Sequence, residues 1–223
     1  MLKKQEPHPD SWKIISQLIS DRRKSRLEDV ASKRTEHITL VLQGIHDPHN
    51  VSACIRTAEA MGIQNIHVIP QPGISYKATS PAKGARNWVD IHRYKSISEC
   101  AKYLKSKNYL LYGAYPPSEK TVNLQKMDIQ QPIAVVFGNE HQGLDDAWLE
   151  CLDGMFTIPM FGMVESFNIS VATAISLHHL HDRALNQLGG QLFINEDRQL
   201  ELLNQWSLKQ RQSSQKIIDQ QTH

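Results

Sequence analysis

The sequence predicts an α/β protein built on a parallel, doubly wound sheet, and three observations predict it. Short β-branched, nearly continuous apolar runs alternate with stretches of helical periodicity across residues 37–190. Two of these runs, "YLLYGAY" (109–115) and "PIAVVFG" (132–138), are apolar on both alternating faces, as a strand covered by helices on both sides requires. Gly44, Gly113, Gly138 and Gly162 fall at the ends of runs, where doubly wound sheets bind ligands beyond the carboxyl ends of their strands.

In chain order, residues 11–33 are polar and helical, with a short apolar stripe of Trp12, Ile15, Leu18 and Ile19. "HITLVLQGI" (37–45) is a strand, followed by a helix over about 50–61. Asn50 is placed as the cap of that helix, with Val51, Ile55 and Ala58 turned inward and Ser52 and Arg56 sharing a face at i, i+4. "NIHVIP" (65–70) and "WVDIHRY" (88–94) read as strands. "SISECAKYLKSK" (96–107) is a helix with Ser96 as cap and Glu99 at the capping-box position. After the strands at 109–115 and 132–138 come a short helix, "LDDAWLECL" (144–152), and a last strand, "MFTIPM" (155–160). A long helix over 168–188 and an amphipathic one over about 197–208 complete the pattern. The domains expected are a basic helical extension (1–36), an α/β sheet domain (37–190), and a C-terminal helix with a Gln/Ser-rich polar tail (191–223).

Charge is nearly balanced over the 223 residues, 25 basic against 23 acidic, so net charge does not announce a nucleic-acid partner. Its distribution is uneven. Residues 1–40 hold nine Lys or Arg against six Asp or Glu, and Arg22, Arg23, Lys24, Arg26, Lys33 and Arg34 cluster there. A solvated helix face and a phosphate-binding patch both fit that cluster. Three cysteines, Cys54, Cys100 and Cys151, lack metal-ligand spacing and suit free thiols in a reducing compartment. With no run near the roughly 20 apolar residues of a membrane span and no apolar signal region in "MLKKQEPHPD", a cytoplasmic protein is expected.

Several ligand chemistries are excluded by the residues present. "GNEHQG" (138–143) has the outer spacing of a phosphate loop, but Leu144 and Asp145 stand where Lys and Ser/Thr are needed. The turn after the first strand, "GIHDPHN", carries no dinucleotide fingerprint. His178 and His181 neighbour one another on a helix, yet nothing supplies the third and fourth ligands of a zinc site, so no metal is expected. No serine sits in a nucleophile elbow.

The connector from strand to long helix, "IPMFGMVESFNIS", is half apolar where such links are short and polar. Read with "HNVSACIRTAEAMG" (49–62) and "VVFGNEHQGL" (135–144), "IPMFGMVESFNISVATA" (158–174) resembles the third motif of the SpoU-type RNA 2′-O-methyltransferases of the SPOUT superfamily, the other two segments matching the first and second. The resemblance runs from about residue 20 to 205 and is closest to the TrmH branch, the tRNA guanosine-2′-O-methyltransferases acting on guanosine 18 of the D-loop. It implies a SPOUT fold with a deep C-terminal trefoil knot, at about 132–185, where general rules make knots nearly absent. It also implies S-adenosylmethionine as cofactor, tRNA as substrate and a homodimer as the working unit.

Carried over onto this chain, the resemblance makes Arg56, Asn50, Glu140, Ser166 and Asn168 the catalytic group. Gly113, Ala114, Gly138, Asn139, Ile158, Met163 and Phe167 become cofactor contacts, with connector side chains closing over the adenine. Phe167 stands where relatives often have Leu. Asn50 and Asn168 also read as ordinary helix caps, and Arg56 as a solvated partner of Glu59. A neutral guanidinium near pH 7 costs on the order of 7–9 kcal/mol, so a charged Arg56 that binds phosphate or stabilises the alkoxide is preferred to Arg56 as base. An rRNA methyltransferase of the same family and a catalytically silent RNA-binding protein are the rival readings.

Overall fold

The computed structural model describes residues 7–71, 84–210 and 214–222. The first six residues, and 211–213 and 223 of the Gln/Ser-rich end, lie outside the described residues. Two compact units divide the chain, one from Thr35 to Leu192 and one combining the residues up to Arg34 with those from Phe193 onward. The terminal segments, read from the sequence as separate extensions, thus belong to a single unit.

The larger unit is a seven-stranded sheet in which every pairing is parallel. Its strands are β1 (Ile38–Gln43), β2 (Asn65–Ile69), β3 (Asp90–Arg93), β4 (Leu110–Ala114), β5 (Thr121–Asn123), β6 (Ile133–Phe137) and β7 (Gly154–Thr157), in the spatial order β3-β2-β1-β6-β4-β7-β5. Strand β5 was not predicted. It has three residues, the apolar Val122 is 42 % exposed, and it borders only β7, so no periodicity marks it. Every residue of β6 is buried, as its doubly apolar sequence requires.

Helices cover the sheet. In the four-residue gap after β1, Asp47 caps α3 (Pro48–Ala60) by accepting the His49 N–H at 2.8 Å, with Pro48 supplying a preset φ at the first turn. The expected cap, Asn50, is therefore the third helical residue, and its amide is released for other partners. Helix α4 (Ile97–Ser106) has the predicted cap, Ser96 accepting from Glu99 N–H, but the Glu99 carboxylate reaches back to Lys95 N–H instead of closing the box on Ser96. The 144–152 segment forms only one 3₁₀ turn, Asp146–Trp148, which buries Trp148 beside Val41, Leu111, Ala134, Val136 and Leu104. Helix α5 (Ile169–Leu188) begins at Asn168, as predicted, and packs on α3.

That packing revises the shared face expected for Ser52 and Arg56. Ser52 is buried while Arg56 is exposed, because α3 is covered by the sheet on one side and α5 on another, and only the long arginine escapes. On the α5 side of the contact, the Thr173 hydroxyl meets Cys54 Sγ at 3.4 Å. Burial pushes the Cys54 thiol up to about 11 and Cys100 up to about 12, and all three cysteines are free thiols.

The smaller unit contains α1 (Ser11–Ile15), α2 (Asp21–Ser32), α6 (Glu196–Ser207) and α7 (Ser214–Thr222). The single helix expected over 11–33 breaks at Ile19, whose extended backbone delivers Ser20 as a new cap, accepting from Arg23 N–H. Trp12 and Ile15 are buried with Leu202, Leu203 and Ile218, and Trp12 N–H donates to Asn204 Oδ1 at 2.7 Å. Within this unit, α1 packs on α6 and α7. Trp12 and Ile15 of the N-terminal stripe are thus covered within the chain. Among the described residues, no helix is long and apolar enough to cross a membrane.

Candidate functional site

Parallel strands put every carboxyl end on one edge, and the predicted site residues leave from four strands that are neighbours there, β1, β6, β4 and β7. Gly44, at φ +64°, turns the chain off β1 into the loop before α3. Gly138 follows β6. A Cβ on it would lie 2.0 Å from Gly143 O, because Asn139 and Gly143 exchange two backbone hydrogen bonds that fold 139–143 back on itself. Only glycine admits that approach. Of the other expected edge glycines, Gly113 lies inside β4, packed against Leu152 and Leu144, and Gly162 lies five residues beyond β7.

The folded-back loop presents Glu140, whose side chain is 22 % exposed. Its Oε1 accepts from Asn50 Nδ2 at 2.7 Å, and its Oε2 accepts from His46 N–H at 3.3 Å. Asn50 Oδ1 in turn accepts from Asn168 Nδ2 at 3.3 Å. Asn168 Oδ1 accepts from the Ser170 N–H at 2.9 Å and the Ser170 hydroxyl at 2.6 Å, capping α5. Three of the five expected catalytic residues, Glu140, Asn50 and Asn168, are thus one hydrogen-bonded chain running from β6 across the start of α3 to the start of α5. Asn168 keeps its cap role and its site role together, since oxygen and amide serve different partners.

Arg56 and Ser166 stand apart from this chain. Arg56 is exposed on α3 and, among the described residues, makes no hydrogen bond or ion pair. Ser166 is exposed beside Asn168 without a hydrogen bond among the described residues.

The expected cofactor segments converge differently. Ala114 ends β4, Asn139 follows β6 and Ile158 follows β7, on three adjacent strands. Gly138 is half-buried, and Asn139 Oδ1 is occupied by the His141 and Gln142 N–H groups. At the end of β4, Tyr115 has a buried hydroxyl with no partner among the described residues, as has the indole N–H of Trp148 in the same cluster. The connector is open: Phe161 is 98 % and Met163 101 % exposed, with Val164 and Phe167 exposed as well. Within the chain these side chains are left uncovered.

In the smaller unit, the basic cluster is partly dismantled. Arg34 is buried with its guanidinium 5.4 Å from the centre of the Trp206 ring, so it holds that unit together and cannot reach a phosphate. Arg26 and Lys33 both pair with Asp29. Arg22 and Arg23 are exposed and Lys24 is half-buried. Among the described residues, no group of three or more His, Cys, Asp or Glu could hold a metal.

Sequence reasoning passed over His46 and Tyr115. "GIHDPHN" lacks a dinucleotide glycine spacing and Tyr115 ends an apolar run, and neither His46 nor Tyr115 carries a periodic signal.

Comparison with known proteins bears on the same segments. Residues 37–178 match the SpoU rRNA Methylase family. The tRNA (guanosine(18)-2′-O)-methyltransferase of Borreliella burgdorferi is 35% identical over 167 residues, covering 75% of this chain and 76% of that one. The crystal structure of the A. aeolicus TrmH/SpoU tRNA modifying enzyme superposes with a TM-score of 0.76 at 28% identity, covering 85% of this chain and 96% of that one. The SpoU methyltransferase AviRb from Streptomyces viridochromogenes, crystallised in complex with the cofactor AdoMet, shares the fold at a TM-score of 0.61 and 22% identity, over 69% of this chain and 62% of that one.

Proposed function

This chain belongs to the SpoU methylase family, and from that premise we propose that it transfers a methyl group from S-adenosylmethionine to the 2′-oxygen of guanosine 18 in tRNA. The observation that carries the reading is the Glu140–Asn50–Asn168 chain, which unites the three sequence motifs at one sheet edge. The substrate follows the names of relatives above 30% identity that align with three-quarters of the chain. The rRNA reading is less favoured on the same ground, and a silent scaffold would have no use for the polar chain.

The residues fit the cofactor. Three adjacent strand ends bring backbone groups together, Tyr115 offers a buried hydroxyl without a partner among the described residues, and the exposed connector offers apolar surface for an adenine. When bound, S-adenosylmethionine supplies an electrophilic methyl group, so no metal is needed. Gly113, Ala114, Gly138, Asn139, Ile158, Met163 and Phe167 would hold it. Arg56, unpaired among the described residues, keeps its charge and is free to take an RNA phosphate and stabilise the oxygen as it loses its proton. Ser166 adds a hydroxyl beside Asn168 for the ribose.

We further propose a knotted segment at 132–185, a homodimer and a cytoplasmic enzyme acting on tRNA. Phe161, Met163, Val164 and Val171 are exposed around the connector and the first turn of α5, and a second copy of the chain would cover them. Light scattering across a dilution series, with activity at each step, tests the dimer; a fully active monomer would overturn it. Arg22, Arg23 and Lys24 remain as an RNA-phosphate patch. Methylation assays on wild-type protein with tRNA and rRNA transcripts test the substrate.

A further inference from the structure

We propose that His46 is the proton acceptor of the reaction, held in its accepting tautomer by Glu140; the proposal rests on the methyl-transfer reading above. His46 lies two residues past the Gly44 turn, and its imidazole is brought to the loop after β6, the neighbouring strand. The His46 backbone N–H already donates to Glu140 Oε2 at 3.3 Å, and Nδ1 of its ring is 3.8 Å from that same oxygen. This Nδ1 is shut off from solvent and has no hydrogen-bond partner among the described residues. Buried polar atoms are rarely left so. Closing the gap by about 0.8 Å would make a hydrogen bond of ordinary length.

The choice of partner fixes the proton. Ionised carboxylate oxygens only accept, and Asn50 occupies Oε1, so the imidazole must donate to Oε2 from Nδ1. That leaves Nε2 with a lone pair. The His46 side chain is 38% exposed although Nδ1 is closed off, so the exposure falls on the opposite edge of the ring, where Nε2 lies. His141 stands edge-on to the ring with centroids 5.4 Å apart and restrains its orientation. The charged and titratable groups beside His46 are Glu140 and His141 from the loop after β6, and Asp47 and His49 from its own loop and helix start.

A neutral imidazole can take a proton directly, whereas a guanidinium, among the most basic of side chains, would first have to give one up. The ribose hydroxyl gives its proton to Nε2 while its oxygen bonds to the methyl carbon. The electron pair of the breaking carbon–sulfur bond stays on sulfur, leaving a neutral thioether. Arg56 keeps its charge throughout, so the two residues divide the work.

The test uses the full-length protein and two readouts. In ¹⁵N-imidazole spectra of the protein alone, the His46 signal, identified by its loss in His46→Asn, should report the Nδ1–H tautomer, and Glu140→Gln should abolish that preference. Finding His46 as Nε2–H in the wild type would overturn the proposal. In single-turnover transfer to tRNA, His46→Asn should lower the rate by about 10²–10⁴-fold and remove the acid limb of the wild-type pH profile, with cofactor and tRNA affinity within about threefold. A variant within about threefold of the wild-type rate would overturn the acceptor role alone. Wild-type protein that methylates no RNA would instead overturn the functional reading, and the acceptor role with it.

Discussion

The two halves of the sheet edge are built in opposite ways. On the β1–β6 side, Glu140, Asn50 and Asn168 are locked to one another and to two helix starts, and Gly138 lets the loop close on its own backbone. Beyond β7, Phe161 and Met163 are fully exposed and a Cβ added at Gly162 would meet nothing within 4 Å. One half is organised by the chain itself. The other presents apolar surface that folding alone does not cover, as a segment that completes its packing on binding does. Chemistry that needs fixed geometry belongs on the first half, and recognition that needs closure on the second.

The sharpest way to break this comparison is at Arg56. Arg56→Ala should lower methyl transfer by about 10²–10³-fold while S-adenosylmethionine affinity, measured by calorimetry, stays within a few-fold. Parallel loss of cofactor affinity would move Arg56 to the other half. Next come the glycines. Gly138→Ala should cost about 3 kcal/mol in urea unfolding, because its Cβ would strike Gly143 backbone, whereas Gly162→Ala should stay within about 0.5 kcal/mol. Equal costs would erase the distinction. Asn50→Ala removes one hydrogen bond to a charged group at the site and should cost about 1 kcal/mol with a marked loss of rate. Met163→Gln should leave unfolding unchanged and weaken cofactor binding.

A control lies away from both halves. His67 is buried on β2, stacked on His92 and hydrogen-bonded to the Tyr94 hydroxyl at 2.9 Å. Burial, with His92 adding to it, holds the His67 imidazole down to about 3. The unfolded chain therefore binds a proton that the folded chain refuses, and stability should fall as pH drops from about 6.5 toward 3. Denaturant titrations of wild type and His67→Phe over that range should show the variant losing less. The smallest effect expected is at the basic cluster. Charge reversal at Arg22 and Arg23 should flatten the log–log salt dependence of tRNA binding by about 0.7–0.9 per lost contact. An unaltered slope would leave that helix face as solvated surface.

What was legible in the sequence follows the same division. Strands with two covered faces, such as β6, announce themselves through unbroken apolar runs, and the Asn168 cap is written in the local sequence. Strand β5 was illegible because three residues at a sheet border carry no period. Asp47, not Asn50, is the cap because Pro48 begins the helix, a signal the dipeptide Asp47-Pro48 itself carries. The burial of Arg34 depends on Trp206, 172 positions along the chain, which no local pattern reports. Family resemblance supplied the site residues, yet not which of them bond one another, since Glu140 and Asn50 are joined only when β1 and β6 pair.

Transfer of a labelled methyl group from S-adenosylmethionine to tRNA transcripts, followed by mapping of the modified nucleotide, tests the central claim most directly. The account predicts one alkali-resistant 2′-O-methyl mark at guanosine 18, absent when Arg56 or Glu140 is replaced. Label on a base, at another ribose, or only on rRNA would contradict it.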